Sequence, residues 1–157
     1  MKPLESAIIL VFNKKREVLF WINKYWFSKW IINWVWWKRE KWETIEEAAV
    51  RELFEETWIK LNVQDIEKRV FFTTDFKDKK DWIWEVTIFS YEWFEWELKE
   101  KSDELELVWL NIDNIPFEKM YSNTKIRLTK LLKWEKYAEY NFDFDKDWKL
   151  LNYEITS

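Results

Sequence analysis

The sequence predicts an α+β fold, a mixed β-sheet sandwiched between helices, from three observations. Short apolar or alternating runs bounded by turn residues recur along the chain and read as strands. Two stretches, 45–57 and 122–133, instead carry apolar residues at helical spacing. The chain has 157 residues, two prolines and no long polar linker, which fits one domain over 1–157 with a sizeable core.

Taken in order, residues 6–13 (SAIILVFN) form an apolar run suited to a buried strand, and Val18 to Ile22 form a second. Lys14 to Glu17 turn between them, so a hairpin is the simplest joining. Lys24 to Trp34 (KYWFSKWIINW) reads as an irregular loop, and Val35 to Lys38 as a short strand leading into a helix at 45–57. Beyond it, 67–74 and 84–93 alternate well enough for two strands across the charged turn DFKDKKD. Residues 97–106 (ELKEKSDELE) are an acidic loop, 107–111 a strand, and Asn114-Ile115-Pro116-Phe117 a turn. Residues 122–133 suit a second helix, capped by Ser122 or Asn123 and apolar at Ile126, Leu128, Leu131 and Leu132. Residues 136–144 and 150–155 close the chain as a hairpin.

Composition excludes several function classes. The 26 basic and 30 acidic residues leave a net charge of −4, which does not describe a nucleic-acid-coating surface. No window holds the roughly 18 uninterrupted apolar residues that a membrane helix needs. The N-terminus, MKPLESAIILVF, lacks the pattern of a secretory signal, so the cytoplasm is the expected location and a monomer the expected state. Zero cysteines and zero histidines remove disulfides, thiolate catalysis, Cys/His zinc sites and any Ser-His-Asp triad. Chemistry must run on carboxylates, lysines and a bound metal.

One feature of the composition stands out: Gly 0 beside Trp 15. Average usage predicts roughly 11 glycines in a chain this long. Trp148 follows Asp147 where Asp-Gly would make a tight hairpin turn. Trp58 follows the acidic helix where a left-handed residue is wanted. Trp26, Trp30, Trp34, Trp36, Trp37 and Trp42 punctuate a stretch otherwise short of turn residues, whereas Trp109, in LELVWLNI, reads as a genuine strand tryptophan. We expect most of these tryptophans to stand where the encoded protein has glycine, by translation of UGA as Trp in a sequence whose own code reads it as Gly.

The helix at 45–57 concentrates the chemistry. Thr44 followed by Glu47 is a capping box. Ile45, Ala48, Ala49 and Leu53 can form the buried stripe, which leaves Arg51, Glu52, Glu55 and Glu56 on or beside the opposite face. Glu52 and Glu56 sit one turn apart and repel unless a cation lies between them. Mg²⁺ is a hard cation that prefers carboxylate oxygens and keeps sites for water and substrate phosphates. Alone, such a face is usually a solvated acidic surface; order and spacing argue otherwise.

Trp36 to Ile59, WWKREKWETIEEAAVRELFEETWI, resembles the Nudix box: a glycine, five residues, Glu, seven residues, then Arg-Glu-(aliphatic)-x-Glu-Glu-x-Gly-(aliphatic). Glu43, Arg51, Glu52, Leu53, Glu55, Glu56 and Ile59 fall on it, and the two glycine positions hold Trp37 and Trp58. VLFWINKYWF, SDELEL with VWL, IPFEKMY and the final NFDFDKDWKLLNY extend the resemblance to the MutT-type Nudix hydrolases of oxidised purine nucleoside triphosphates.

That resemblance implies Mg²⁺, with Mn²⁺ as a substitute, held by Glu52, Glu55, Glu56 and the backbone carbonyl of Trp36. Arg51 would orient Glu52 or Glu43. Lys24 and Lys38 would contact phosphate, and Glu100 or Glu104 in the acidic loop would assist, Glu100 being preferred. Asn33 and Phe27 before the box, with Tyr121, Asn123 and Thr124 after the IPF turn, would form the base site. Asn123 and Thr124 stand where the subfamily has paired aspartates, which leaves the preference for an oxidised base open. The implied reaction is hydrolysis to the nucleoside monophosphate and pyrophosphate, a sanitation of the nucleotide pool against 8-oxo-dGTP that prevents DNA damage. A Nudix hydrolase of a nucleotide sugar or dinucleoside polyphosphate is the alternative. A non-catalytic binding module follows if the tryptophans at 36, 37 and 58 are real.

Overall fold

The computed structural model describes residues 3–23, 31–34, 37–76, 83–94, 98, 105–133 and 137–156. Its strands are β1 (Leu4–Asn13), β2 (Glu17–Asn23), β3 (Ile32–Asn33), β4 (Trp37–Lys38), β5 (Glu67–Phe76), β6 (Ile83–Phe94), β7 (Leu105–Asn111), β8 (Ala138–Phe144) and β9 (Leu150–Ile155). Helices α1 (Ile45–Thr57) and α2 (Thr124–Leu132) complete the fold. The sheet is mixed, with the order β3-β2-β1-β6-β5-β8-β9; β4 pairs with β1 and β7 with β2.

β1 is central because it is the most apolar run, buried from Ser6 to Phe12, as a strand flanked by others and covered on both faces must be. It runs parallel to β6, from Leu4↔Trp84 through Val11↔Tyr91. β5 lies antiparallel to β6 and parallel to β8. The predicted β1–β2 hairpin forms, but it is short and splays. The two strands meet at Phe12↔Val18, after which β2 pairs along its length with β7, from Glu17↔Asn111 to Asn23↔Leu105. Each strand finds a longer ladder elsewhere. The turn holds its own shape, because Asn13 Oδ1 accepts from the amides of Lys15 and Glu17, and Arg16 adopts φ 61°.

α1 forms over the expected residues. Its capping box is complete: Glu47 N–H donates to Thr44 Oγ1 (3.2 Å) and Thr44 N–H to Glu47 Oε2 (2.7 Å). Ala48, Ala49, Leu53 and Thr57 are buried, and the helix packs on β1 and β4. Trp58 ends it in the left-handed region, φ 63°, its amide donating to Phe54 O. Trp148 likewise takes φ 63° in the β8–β9 turn. Trp42 lies in a turn without positive φ and Trp109 lies in β7 opposite Leu19.

α2 buries Leu128 and Leu131 of the expected stripe, with Ile126 and Leu132 partly buried against the core, and adds Thr124 and Arg127 to the inward face. Asn123 occupies the N-cap position without making a cap bond, because Arg127 engages its side chain. Asn33, expected in a loop, forms the two-residue β3 with Ile32, opposite Trp21 of β2.

Candidate active site

α1 presents its acidic face beside the turn that precedes it, and one arginine joins the two. Arg51 Nε donates to Glu43 Oε2 (3.0 Å) and Nη2 to Glu43 Oε1 (2.8 Å), a bidentate fork. Its Nη1 donates to Glu52 Oε1 (2.7 Å) and Glu55 Oε2 (3.3 Å). The Glu43 side chain is 2% exposed, and it also accepts from the Glu40 amide at 2.9 Å. Arg39 pins this turn to the sheet: its Nη1 donates to Glu43 O (3.0 Å), while Nε and Nη2 donate to Glu5 of β1.

The electrostatics follow from these contacts. Arg51's hydrogen bonds, helped by the Glu40 amide and against the cost of burial, hold the Glu43 carboxyl below its ordinary range. The bond to Glu43 also raises the Arg51 guanidinium above its ordinary value. Burial pushes the Glu52 carboxyl up; Arg51 opposes that shift and Glu55 adds to it. Glu52 is thus a half-buried carboxylate beside another one.

The sequence placed the metal on Glu52, Glu55 and Glu56. All three lie on α1, with Glu52 and Glu56 half-buried and Glu55 exposed. Among the described residues, however, no three acidic side chains gather closely enough to hold an ion; Arg51 engages Glu52 and Glu55 instead. The donor chemistry still fits a hard divalent cation, since Glu52, Glu55 and Glu56 each offer carboxylate oxygen and the desolvated Glu52 anion gains from a positive neighbour. Lys38 is exposed in β4, opposite Ser6. Lys24, Phe27, Trp36, Glu100 and Glu104 lie outside the described residues.

Of the proposed base residues, Asn33 lies on the sheet, while Tyr121, Asn123 and Thr124 lie at the start of α2. Asn33 is half-buried in β3. Tyr121 is half-buried, its ring centre 6.1 Å from that of Trp148, and burial raises its hydroxyl pKa. Asn123 and Thr124 are buried, and both accept from Arg127 Nη2, at 3.1 and 3.3 Å. Arg127 is not among the residues to which the sequence points. Its signal was present, because residues 124, 127, 128 and 131 repeat at helical spacing with an arginine inside the stripe.

Residues 2–134 match the family model of the NUDIX domain. This chain belongs to the Nudix family. A Nudix domain implies a pyrophosphohydrolase acting on small-molecule nucleotide substrates, generally with a divalent metal such as Mg²⁺ or Mn²⁺. The Nudix chain is similar in fold to a MutT protein from Bacillus halodurans (24% identity, 97% of each chain, TM-score 0.79). It is also similar to a MutT Nudix hydrolase from Burkholderia pseudomallei (17% identity, 83% of this chain and 99% of that one, TM-score 0.67). A third similar structure is a bifunctional NMN adenylyltransferase/ADP-ribose pyrophosphatase from Francisella tularensis, complexed with AMP and a manganese ion. It shares 26% identity over 85% of this chain and 42% of that one, with TM-score 0.61. None of the curated proteins compared matches the chain. Among the described residues no helix is long and apolar enough to cross a membrane.

Proposed function

We propose that this chain, a single Nudix unit over 1–157, hydrolyses purine nucleoside triphosphates to the monophosphate and pyrophosphate. The observation that carries the reading is the Arg51 fork on Glu43, which locks the box turn to the acidic face of α1. Arg51 holds Glu43 ionised and orients Glu52. Glu52, Glu55, Glu56 and the Trp36 carbonyl are the ligands we assign to a divalent ion. When bound, that ion lowers the pKa of an attacking water and neutralises charge on the leaving phosphate. Lys24 and Lys38 bind phosphate oxygens, and Glu100 accepts a proton from the water. Asn33, Phe27, Tyr121, Asn123 and Thr124 hold the base. Oxidised purines such as 8-oxo-dGTP are the candidate substrates, with nucleotide-pool sanitation in the cytoplasm as the role.

Glycine at 36, 37 and 58 belongs to the same proposal. Trp58 in the left-handed region supports it, because an L-residue with a Cβ is disfavoured there by about 1–2 kcal/mol. The test is pyrophosphate release from a panel of ordinary and oxidised triphosphates with Mg²⁺, on protein carrying glycine at those sites. Release from purine and not pyrimidine triphosphates is expected; equal rates on both remove Asn33 and Tyr121 from base reading. The similarity to the ADP-ribose pyrophosphatase that carries AMP and manganese supports a second reading, a nucleoside-diphosphate-linked substrate. Turnover of ADP-ribose alone would favour it. No turnover of any substrate would leave a binding module.

A further inference from the structure

β9 (Leu150–Ile155) closes one end of the sheet, and among the described residues it has a strand on one side only, β8. One hydrogen bond fixes which of its backbone groups face outward. Thr156 N–H donates to Glu139 O at 3.0 Å, so these two form a hydrogen-bonded pair, and along an antiparallel ladder such pairs alternate with pairs whose amides and carbonyls turn away. Asn141↔Glu154 is therefore hydrogen-bonded, whereas Ile155, opposite Tyr140, and Tyr153, opposite Phe142, turn N–H and C=O to the open edge. Leu151 is the extra residue of a bulge and has no partner in β8.

The side chains follow the same alternation. Leu151, Tyr153 and Ile155 are 48%, 44% and 51% exposed. Tyr153 and Ile155 lie on the α2 side of the sheet, since with Ile126, Thr129 and Tyr140 they line an open groove of about 330 Å³; Tyr153 also stacks on Phe142 at 5.9 Å. Asn152 and Glu154, exposed as well, take the other face. The far end of the sheet is blunted by shortness, β3 having two residues. β9 has six, with no lysine, no proline and one charge, Glu154, so it lacks the usual protection of an edge strand.

We propose that β9 pairs antiparallel with β9 of a second copy of this chain across a two-fold axis at Tyr153, giving a dimer with one continuous sheet in place of the expected monomer. The strand itself selects this occupant and this register. A two-fold axis normal to the sheet keeps the apolar rows of both strands on one face. Centred on Tyr153, it sets Tyr153 opposite the partner's Tyr153, where each supplies the outward donor and acceptor that the other lacks, and Leu151 opposite the partner's Ile155. On the other face Asn152 falls opposite the partner's Glu154, an amide donor against a carboxylate acceptor, twice over. Moving the axis to Asn152 sets Leu150 against the partner's Glu154, and moving it to Glu154 sets two carboxylates against each other. The dimer does not depend on the hydrolase reading.

The test is sedimentation velocity from the micromolar into the millimolar range on the unaltered chain and on variants at exposed β9 positions. The unaltered chain is expected to dimerise reversibly. Ile155→Pro removes an outward N–H, which an edge strand tolerates, and is expected to give a monomer with a Tm close to that of the unaltered chain. Asn152→Lys, which sets an ammonium against the partner's Glu154, should strengthen the dimer about fivefold. Asn152→Lys/Glu154→Lys lowers the net negative charge further yet opposes two ammonium groups, and should weaken it by a similar factor. A chain that stays monomeric throughout overturns the proposal and leaves the edge to an extended peptide or to solvent. A dimer that survives folded Ile155→Pro, or one that the two lysine variants move in the same direction, overturns it too. Should Ile155→Pro lower the Tm sharply, the lysine variants alone decide.

Discussion

Arg51 on α1 and Arg127 on α2 are the same side chain in opposite circumstances. Arg51 is a quarter exposed and touches three carboxylates, Glu43, Glu52 and Glu55. Its charge is raised in affinity by every neighbour, and it holds two pieces of chain together. Arg127 is buried among Phe72, Trp34 and neutral acceptors. Burial pushes its pKa down to about 9, still high enough for the guanidinium to be charged at neutral pH. A charge matched by its surroundings organises a fold, whereas one left short of partners weakens the fold and is available to something else.

The largest effect expected from breaking this contrast is on stability. Arg51→Met leaves the Glu43 carboxylate buried without its fork, and urea denaturation should show a loss of about 3 kcal/mol, the low end for a broken buried pair because Arg51 is partly solvated. Arg51→Lys should recover only part of it, since one ammonium cannot span both oxygens. A loss below about 1 kcal/mol would place the pair among ordinary surface bridges. In the glycine-bearing protein, Glu56→Gln should slow pyrophosphate release at least about hundredfold, equivalent to about 2.7 kcal/mol, with little change in Tm. Full activity would refute the metal assignment.

Arg127→Met sharpens the contrast from the other side, with an expected change between zero and about 2 kcal/mol of added stability by the same urea measurement. The two left-handed tryptophans should then diverge. Trp58 is 52% exposed and its ring meets Phe54 edge-on, so Trp58→Gly should stabilise by roughly 0.5–1 kcal/mol through relief of strain. Trp148 packs on Phe76 at 4.7 Å and on Trp84 at 5.9 Å. Trp148→Gly gains the same relief and loses those contacts, and should destabilise by about 1 kcal/mol. Identical shifts at the two sites would mean that backbone strain dominates packing.

The smallest effect concerns Tyr137, whose hydroxyl donates to Glu139 Oε1 at 2.7 Å. Burial, and then this bond, raises its pKa to about 12. Its neutral form is favoured in the folded chain, so its contribution is complete below pH 10 and is lost as pH rises from 10 towards 12. Tyr137→Phe should flatten that part of the stability profile, read by thermal denaturation.

Much of the site was legible because its signals are local. The capping box at Thr44 and Glu47, the limits of α1, and the left-handed residues at 58 and 148 each depend on a few neighbouring residues, and each took the predicted form. The splaying of β1 and β2 was not legible, because turn chemistry at 13–17 specifies a reversal and cannot announce that β6 and β7 offer longer ladders. The apolar stripe of α2 was legible at Leu128 and Leu131, but the inward Arg127 was not, since counting apolar side chains assigns a cation to solvent. Asn33 changed from loop to strand because Trp21 supplied a partner from β2.

By itself the sequence determined the α+β class, the acidic helix and its register, and the family to which the box belongs. These follow from periodicity and fixed spacing within one segment. Only the tertiary structure decided that Glu43 is the buried partner of Arg51, that Asn123 and Thr124 are occupied by Arg127, and that the Trp34 indole stacks on Phe20 with that guanidinium 5.5 Å from its centre. The physical reason is range. Caps and periods act over a few residues of chain, whereas the value of a charge or a ring is set by desolvation and by neighbours that arrive from distant segments.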